Sequence, residues 1–204
     1  GKTLNLDLLQ GPFDQGPEVE SRNDVLVFST PVLTEALPVQ GKIRVHLFVS
    51  SDRIDTDVVL RLTEVYPDGR SILIGESIQR MRFREGYTMS DEAFMTPGEI
   101  YPVTLSFEDL ANTFQVGNQL RLIVSSSNYP RYNRNMNTGD EMYPNGEIDV
   151  LINPLVAENT LYVSAAYPSR VELPMAGLST FLSETDSFDD IDVVPNPVSD
   201  HVQI

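Results

Sequence analysis

The sequence predicts an all-β protein, a two-sheet antiparallel jelly-roll sandwich with few short helical turns. From Asp24 to about Leu173, apolar and polar residues alternate in short segments, which is the pattern of strands with one buried face. Gly, Pro, Asn and Asp interrupt these segments at short intervals, as turns do in a β-sandwich. We therefore expect two packed sheets around one core.

The first strands follow from alternation with a period of two residues. The residues expected on the buried face are Ile43, Val45, Leu47 and Val49 in one strand and Val58, Leu60 and Leu62 in the next. The tetrapeptide Tyr66-Pro-Asp-Gly69 then favours a type I turn, because Pro presets φ at the second position and Gly tolerates unusual φ at the fourth. A hairpin is expected there.

Further strands are predicted over residues 71–74, 78–84, 101–107, 120–125, 160–164 and 170–173. Residues 107–114 lack clear alternation and are expected to form a short helical turn, followed by a return at Val116-Gly117-Asn118.

Three arginines alternate with apolar residues in the segment 78–84. Strand geometry would place Arg80, Arg82 and Arg84 on one face, with Met81 and Phe83 towards the core. These arginines could dock onto an acidic partner, but pairing with carboxylates across the sheet is the favoured interpretation.

Composition excludes several classes of function. A chain of 204 residues with 41% apolar content is long enough for one domain with its own core. The net charge of −16 disfavours binding to nucleic acid and to anionic membranes. We find no apolar run of the roughly 20 residues that a membrane span needs. With no cysteine, disulfides and thiolate chemistry are excluded.

Five short motifs occur in a fixed order along the chain. They are Gly11-Pro-Phe-Asp-Gln15, Glu20-Ser-Arg-Asn-Asp-Val-Leu26, Ser50-Ser-Asp-Arg-Ile-Asp-Thr-Asp57, Tyr66-Pro-Asp-Gly69, and the strand from Leu120 that runs into Ser125-Ser-Ser-Asn-Tyr-Pro-Arg-Tyr-Asn-Arg-Asn-Met-Asn-Thr-Gly139. Together they resemble the C-terminal domain of the X-Pro dipeptidyl-peptidase, cocaine esterase and α-amino-acid ester hydrolase group of serine hydrolases. The resemblance covers residues 11–174 and implies a galactose-binding-like jelly roll.

In that group the domain is non-catalytic. The resemblance therefore implies that the chain packs on the catalytic α/β-hydrolase domain of the same precursor, shapes the entrance to its active site, and could take part in homo-oligomer assembly. The parent would hydrolyse or transfer acyl groups of peptides, amino-acid esters or amides. A free-standing carbohydrate-binding or adhesive β-sandwich is the alternative, because jelly rolls host many functions.

No catalytic residue is predicted within this chain, and no cofactor is expected. Serine hydrolysis needs a nucleophile on a sharp turn together with a His and an acid, but no Gly-x-Ser-x-Gly occurs. His46 lies inside a predicted strand and His201 near the C-terminus, so a structural role is favoured for each.

Asp52, Asp55 and Asp57 have a spacing that can surround calcium. The EF-hand pattern is not met, because the central Gly and the distal Glu are missing. We expect a solvated loop between two strands and no metal site.

The polar loop, residues 128–139, is too long for a simple turn, and loops of this kind often carry function. Its candidate site residues are Tyr129, Arg131, Tyr132, Asn133, Arg134, Asn135 and Asn137. The tyrosines could stack on sugars, or the loop could satisfy its own backbone, but the resemblance favours packing against the hydrolase domain. It also implies that Leu4, Asn5 and Leu6 pass near the active-site entrance and line the substrate pocket; an edge strand explains their alternation as well.

Three regions are predicted along the chain. Residues 1–175 form the sandwich, and residues 176–191 form an acidic linker rich in Ser and Thr. Residues 192–204, with Pro195-Asn-Pro-Val-Ser-Asp200, resemble the start of the C-terminal sorting domain of type IX secretion in Bacteroidetes. This resemblance implies a secreted or cell-surface protein that passes through the periplasm. The first residues, Gly1-Lys-Thr-Leu-Asn5, lack a signal-peptide pattern, which favours a start inside a longer precursor.

Overall fold

A computed structural model of the chain describes residues 13–140, 154–175, 194–195 and 201–203. Antiparallel strands dominate, which confirms the predicted all-β class. The strands are β1 (Val25–Ser29), β2 (Leu37–Gly41), β3 (Arg44–Ser51), β4 (Asp57–Val65), β5 (Ser71–Arg80), β6 (Tyr101–Ser106), β7 (Leu110–Phe114), β8 (Gln119–Ser125), β9 (Asn159–Tyr162), β10 (Arg170–Glu172), β11 (Val194–Pro195) and β12 (His201–Gln203). Short helical turns span Gly16–Glu20, Met81–Phe83 and Met89–Asp91.

The first sheet has five strands in the order β11-β1-β8-β4-β5. Its centre is β4, which pairs with β8 on one side and with β5 on the other. All nine residues of β4 are buried, so both faces of this strand are covered. A β-bulge between β4 and β5 at Leu62 and Thr63 shifts the register near the start of β5.

The second sheet is organised around β3. One edge of this strand pairs with β6, and the other pairs with β10 along residues 44–46 and with β9 along residues 48–51. The strand β12 then pairs with the outer edge of β9. A separate pair, β2 with β7, lies beside the two larger sheets in the described fold.

The core lies between the sheets, and the predicted alternation places its residues correctly. The buried members that had been predicted are Ile43, Val45, Leu47, Val49, Val58, Leu60 and Leu62. Further core side chains come from β1, β6, β7 and β8, including Phe28, Leu105, Phe114 and Leu122.

The predicted hairpin at Tyr66-Pro-Asp-Gly69 is confirmed. The Gly69 N–H donates to the Tyr66 carbonyl at 2.9 Å, and the Tyr66 N–H donates to the Arg70 carbonyl at 2.9 Å. Gly69 has φ +88°, a conformation that glycine adopts without a steric cost. The turn therefore joins β4 to β5 as neighbours.

The helical turn expected over residues 107–114 is wrong, because residues 110–114 form strand β7. Leu110 and Phe114 face inward, but the residue between them on the same face is the polar Asn112. The sequence therefore lacks a regular alternation of apolar and polar residues here. Pairing with β2 in a five-residue register supplies the backbone hydrogen bonds.

The predicted strand over residues 78–84 is also wrong beyond Arg80. The chain turns at Met81, whose side chain is fully buried and whose N–H donates to the Thr56 carbonyl at 2.9 Å. The next N–H, that of Arg82, donates to the Asp55 side chain rather than to a neighbouring strand. Arg80, Arg82 and Arg84 therefore do not form a stripe on a sheet.

Several predictions concern residues outside the described part of the chain. Leu4, Asn5 and Leu6 lie there, as does the linker at 176–191, so their predicted roles stay predictions. Of the segment 192–204, only two short strands are described. β11 pairs with β1 and β12 pairs with β9, each on a different sheet.

Candidate functional site: the polar loop and its buried anchors

Two aspartates at the start of β4 hold the second half of the polar loop. Asp55 and Asp57 are 0% and 2% exposed, so the expected solvated loop is wrong for both, although Asp52 is exposed. The Asn135 amide nitrogen donates to Asp55 Oδ2 and to Asp57 Oδ1, each at 2.9 Å. One loop side chain thus bridges both buried carboxylates.

Each aspartate also carries its own arginine. Arg80 donates to Asp57 through Nε at 2.8 Å and through Nη2 at 2.9 Å, which is the two-point geometry that guanidinium and carboxylate favour. Arg82 donates to Asp55 through Nε at 2.7 Å and through its backbone N–H at 2.9 Å. We call Asp55, Asp57, Arg80, Arg82 and Asn135 the aspartate anchor.

The two arginines reach onward to the loop backbone. Arg80 Nη2 donates to the Asn133 carbonyl at 3.3 Å, and Arg82 Nη1 donates to the Asp140 carbonyl at 3.1 Å. Arg82 Nη1 also contacts Glu92 Oε1 at 3.1 Å. The aspartate anchor therefore fixes the loop on both sides of Asn135.

Burial raises the pKa of Asp57, and this effect outweighs the opposing contributions of Arg80 and Asn135. A neighbouring negative charge on Asp55 acts in the same direction as burial. The carboxylate is therefore costly to keep charged, and its donors are what make the charged form tolerable.

A second set of contacts anchors the first half of the loop. Arg61, a charged residue in the middle of β4, is 2% exposed and donates through Nη2 to Asn128 Oδ1 at 2.6 Å. Asn128 Nδ2 donates to Glu76 Oε1 at 2.8 Å, and Glu76 also lies beside Arg61 Nε at 3.5 Å and Arg131 Nε at 3.7 Å. Burial lowers the pKa of Arg61, although the Glu76 charge opposes this shift. We call Arg61, Glu76 and Asn128 the Arg61 anchor.

The tyrosines of the loop are stacked on arginines. The guanidinium of Arg134 lies 4.1 Å from the ring centre of Tyr129, and that of Arg131 lies 5.9 Å from the ring centre of Tyr132. One face of each ring is therefore covered by a neighbour from the same loop. Four of the predicted loop residues are thus paired with one another, Tyr129 with Arg134 and Tyr132 with Arg131.

The end of the loop is surrounded by exposed apolar side chains. Ile54, Phe94, Leu155 and Val156 are 38%, 43%, 43% and 80% exposed, and we call these four residues the apolar patch. Gly139 packs directly against Ile54 and Phe94, since a Cβ at this position would collide with Ile54.

Backbone contacts tie Leu155 and Val156 to the same region. Asn137 Nδ2 donates to the Leu155 carbonyl at 2.7 Å, and Arg53 Nε donates to the Val156 carbonyl at 2.8 Å.

His46 lies in β3, not in the loop, and contacts the two strands that pair with β3 at this position. Its Nδ1 lies 2.9 Å from Thr104 Oγ1 on β6, and its Nε2 lies 2.9 Å from Glu172 Oε1 on β10. These contacts link β3 to its two neighbouring strands, and the structural role predicted for His46 stays a prediction. The nearby imidazole, with a smaller contribution from Arg170, lowers the pKa of Glu172.

Within the described ranges, no group of three or more His, Cys, Asp or Glu side chains is placed to hold a metal ion. Among the same residues, no helix combines the length and apolar character that crossing a bilayer requires.

Sequence reasoning found the loop but missed both of its anchors. A signal for the Arg61 anchor is present, because Arg61 and Glu76 interrupt apolar strands at positions that face away from the core. A sandwich normally leaves that face to solvent, so only the three-dimensional position of the loop shows that it is covered.

The geometry defines a class of protein: a two-sheet antiparallel β-sandwich domain that carries one rigidly anchored polar surface loop. Comparison with known proteins identifies the family. Residues 3–172 match the family described as the X-Pro dipeptidyl-peptidase C-terminal non-catalytic domain, and the chain belongs to that family.

Known relatives agree with this assignment. The chain is 39% identical over 165 residues to cocaine esterase of Rhodococcus sp. (strain MB1 Bresler), covering 81% of this chain and 28% of the esterase. It is 31% identical to a structure of α-amino acid ester hydrolase, with a TM-score of 0.72, covering 80% of this chain and 27% of the other. An aminopeptidase from a marine sediment Thaumarchaeota archaeon gives 26% identity and a TM-score of 0.69, covering 80% of this chain and 27% of the other. The chain thus spans little more than a quarter of these relatives.

Proposed function

We propose that this domain packs on the catalytic α/β-hydrolase domain of the same precursor and shapes the entrance to its active site. The observation that carries the proposal is the contrast at the polar loop. The loop is held through Asn128 and Asn135 by two buried anchors, while the apolar patch beside it is exposed. A surface whose conformation is already fixed loses little conformational entropy on docking. Burial of the exposed apolar side chains in the interface would then favour binding.

The parent protein is proposed to be a serine hydrolase that acts on peptides, amino-acid esters or amides. Support comes from the relatives, which are named as an esterase, an ester hydrolase and an aminopeptidase. The reaction itself would be carried out by residues of the catalytic domain. The domain described here would contribute side chains and loops that line the entrance to the active site.

The internal contacts of the polar loop make the carbohydrate-binding alternative weaker. Tyr129 and Tyr132 each have one ring face occupied by a guanidinium, which leaves one face of each ring for stacking. The anchored loop also uses Asn128, Asn135 and Asn137 for internal contacts instead of leaving their amides open to a ligand.

We further propose that the parent protein is exported to the periplasm and then secreted or displayed on the cell surface. The support is the segment Pro195-Asn-Pro-Val-Ser-Asp200, which resembles the opening of a type IX sorting domain. Removal of the chain from residue 192 onward in a Bacteroidetes host should retain the precursor in the cell. Unchanged secretion of the shortened precursor would contradict this part of the proposal.

The central experiment uses the full-length precursor with amino-acid ester and Ala-Pro substrates. Deletion of residues 11–174 should abolish turnover or solubility. The substrate class that the full-length precursor turns over most efficiently identifies the reaction. A precursor that retains full activity after this deletion would overturn the proposal. So would turnover of a p-nitrophenyl ester by the isolated domain, if a serine-directed inhibitor blocks it.

A point variant tests the proposed contact surface. Val156→Glu places a charge in the apolar patch and should lower precursor activity without unfolding the isolated domain, because Val156 is 80% exposed. The matched control is Val32→Glu, at an apolar residue that is 57% exposed and outside the patch. Equal effects of the two substitutions would contradict the assignment of the patch as the docking surface.

A further inference from the structure

Arg134, in the middle of the polar loop, lacks the carboxylate partner that most arginines of this chain have. All twelve arginines of the sequence lie in the described ranges, and ten of them have a carboxylate oxygen within 3.7 Å. Among the described residues, no carboxylate lies this close to Arg44 or to Arg134, and both side chains are exposed. Because the chain has 30 acidic residues, an arginine without a carboxylate beside it is the exception.

The guanidinium of Arg134 is stacked on a tyrosine instead. It lies 4.1 Å from the ring centre of Tyr129, whereas Arg44 lies over no aromatic ring of the described chain. Stacking uses the flat face of the guanidinium, and its N–H groups lie in the plane of that face. No hydrogen bond joins these N–H groups of Arg134 to the described residues. The donors of Arg134 are therefore oriented by the ring and remain available.

The backbone on both sides of Arg134 is also held in place. The carbonyl of the preceding residue, Asn133, accepts a hydrogen bond from Arg80 Nη2 at 3.3 Å. The amide of the following residue, Asn135, donates to Asp55 and Asp57 in the aspartate anchor. A side chain that starts from a fixed backbone and lies on a ring loses less conformational entropy when it binds a partner.

Arg134 lies near the apolar patch. Three residues further along the loop, Asn137 Nδ2 donates to the carbonyl of Leu155, a member of the patch, at 2.7 Å. Three residues of fully extended chain span at most about 11 Å, which limits the distance between the Cα atoms of Arg134 and Asn137. A protein–protein interface of standard size buries about 800 Å² on each partner. An interface centred on the patch is therefore wide enough to include Arg134.

The chemistry of the available donors favours a carboxylate. The N–H groups of a guanidinium match the two oxygens of a carboxylate, and such charge-assisted contacts are among the strong hydrogen bonds of proteins. An extended polyanion is disfavoured, because the chain carries a net charge of −16. A single Asp or Glu side chain on a protein surface that also covers the apolar patch meets both requirements.

We infer that Arg134, oriented by Tyr129, binds an Asp or Glu carboxylate on the catalytic α/β-hydrolase domain of the same precursor, beside the contact made by the apolar patch. The inference rests on the proposed function and adds the chemistry of the partner surface. Arginine and aromatic residues are enriched in protein interfaces, and the stacked pair of Arg134 and Tyr129 provides both.

The test is zero-length cross-linking of the full-length precursor. Arg134→Lys keeps the positive charge and introduces an amine, which a carbodiimide joins to a neighbouring carboxylate as an amide while the carbodiimide takes up the water. Peptide mass spectrometry should then find position 134 linked to an acidic residue of the catalytic domain. The matched control is Arg44→Lys, at the other exposed arginine without a carboxylate, and it should give no link to the catalytic domain.

Charge reversal provides an independent measurement. Hydrogen exchange over residues 128–139 should be slower in the precursor than in the isolated 204-residue chain, because docking covers the loop. Arg134→Glu should abolish this difference, and Arg44→Glu should leave it intact. Arg134→Glu should not change the unfolding of the isolated chain, because the side chain of Arg134 is exposed and forms no ion pair with the described residues.

Two results would overturn the inference. One is a position 134 that gives no link, or that links only to acidic residues of this chain in the same or another copy. The other is an equal effect of Arg134→Glu and Arg44→Glu on exchange in the loop.

A failure of this inference can be told from a failure of the proposed function. If Val156→Glu lowers precursor activity but position 134 gives no link, the docking stands and only the carboxylate contact is wrong. If deletion of residues 11–174 leaves activity intact and exchange in the loop is the same in the precursor and the isolated chain, both are wrong.

Discussion

Asp57 and Arg80 are direct cross-strand partners on β4 and β5, and their side chains meet in a two-point contact of 2.8 and 2.9 Å. The same carboxylate receives Asn135 from the polar loop. A sheet contact and a loop contact therefore share one buried charge. Substitution of either Arg80 or Asn135 changes how well the Asp57 carboxylate is stabilised, and so affects the contact with the other residue.

Replacing Arg80 with Met should destabilise the isolated domain by roughly 3 kcal/mol at neutral pH, because it leaves the Asp57 carboxylate buried without its main counter-charge. Urea denaturation measures the change. The matched control is Arg22→Met, which breaks an exposed ion pair with Asp24 and should cost at most about 1 kcal/mol. Equal losses for the two variants would show that the Asp57–Arg80 pair is not an effective anchor.

The pKa of Asp57 should lie above its ordinary value of about 3.9, and carboxyl NMR titration measures it directly. With a raised pKa, the folded state holds a proton that the unfolded state has already lost. The corresponding stability is therefore fully present below the unfolded pKa and is lost as pH rises through the folded pKa.

The Asp57→Asn variant removes this titration. The stability of the wild type relative to the variant should accordingly fall as pH rises through that interval. If the stability of the wild type relative to the variant instead rises with pH, the pKa of Asp57 is lowered in the folded state and the prediction is wrong.

Asn135→Ala should release the second half of the polar loop, since it removes the amide that bridges Asp55 and Asp57. We expect a loss of roughly 1–3 kcal/mol, typical of hydrogen bonds to charged groups. Hydrogen exchange should accelerate over residues 133–140, with β3 and β8 unaffected. Asn23→Ala, at an exposed asparagine, is the control and should change neither measurement. Uniform acceleration across the domain would indicate global destabilisation instead of loop release.

Gly139→Ala should be more destabilising than Gly69→Ala, although both glycines have positive φ, +79° and +88°. Alanine at Gly69 meets open space and suffers only backbone strain, which is about 1 kcal/mol. Alanine at Gly139 suffers the same strain and also displaces Ile54 and the Phe94 ring. Thermal unfolding of the two variants provides the comparison, and equal shifts in Tm would show that Gly139 does not pack tightly against the apolar patch.

Period-two alternation was enough to locate most strands, because each has one apolar face. It failed where the buried face contains a polar residue, as at Asn112 in β7. It also misassigned residues 81–84, where the Asp55 carboxylate takes the backbone N–H of Arg82 that a strand would give to its neighbour. The choice between strand and turn there depends on a residue 27 positions earlier in the chain.

The candidate site was predictable only in part. The length and polarity of the loop marked it, but nothing local to residues 128–139 shows which distant charges they meet. Arg61, Glu76, Asp55 and Asp57 come from other strands, and their burial follows from tertiary packing.

The complete burial of β4 has a consequence for how this domain tolerates sequence change. A sandwich ordinarily has two layers, and its outer faces accept almost any polar substitution. Here the polar loop acts as a third layer over Arg61, which is 2% exposed and donates a hydrogen bond to Asn128 of the loop. Insertions and deletions should therefore be tolerated at the Tyr66–Gly69 turn and rejected in the loop, the reverse of what the lengths of the two segments suggest.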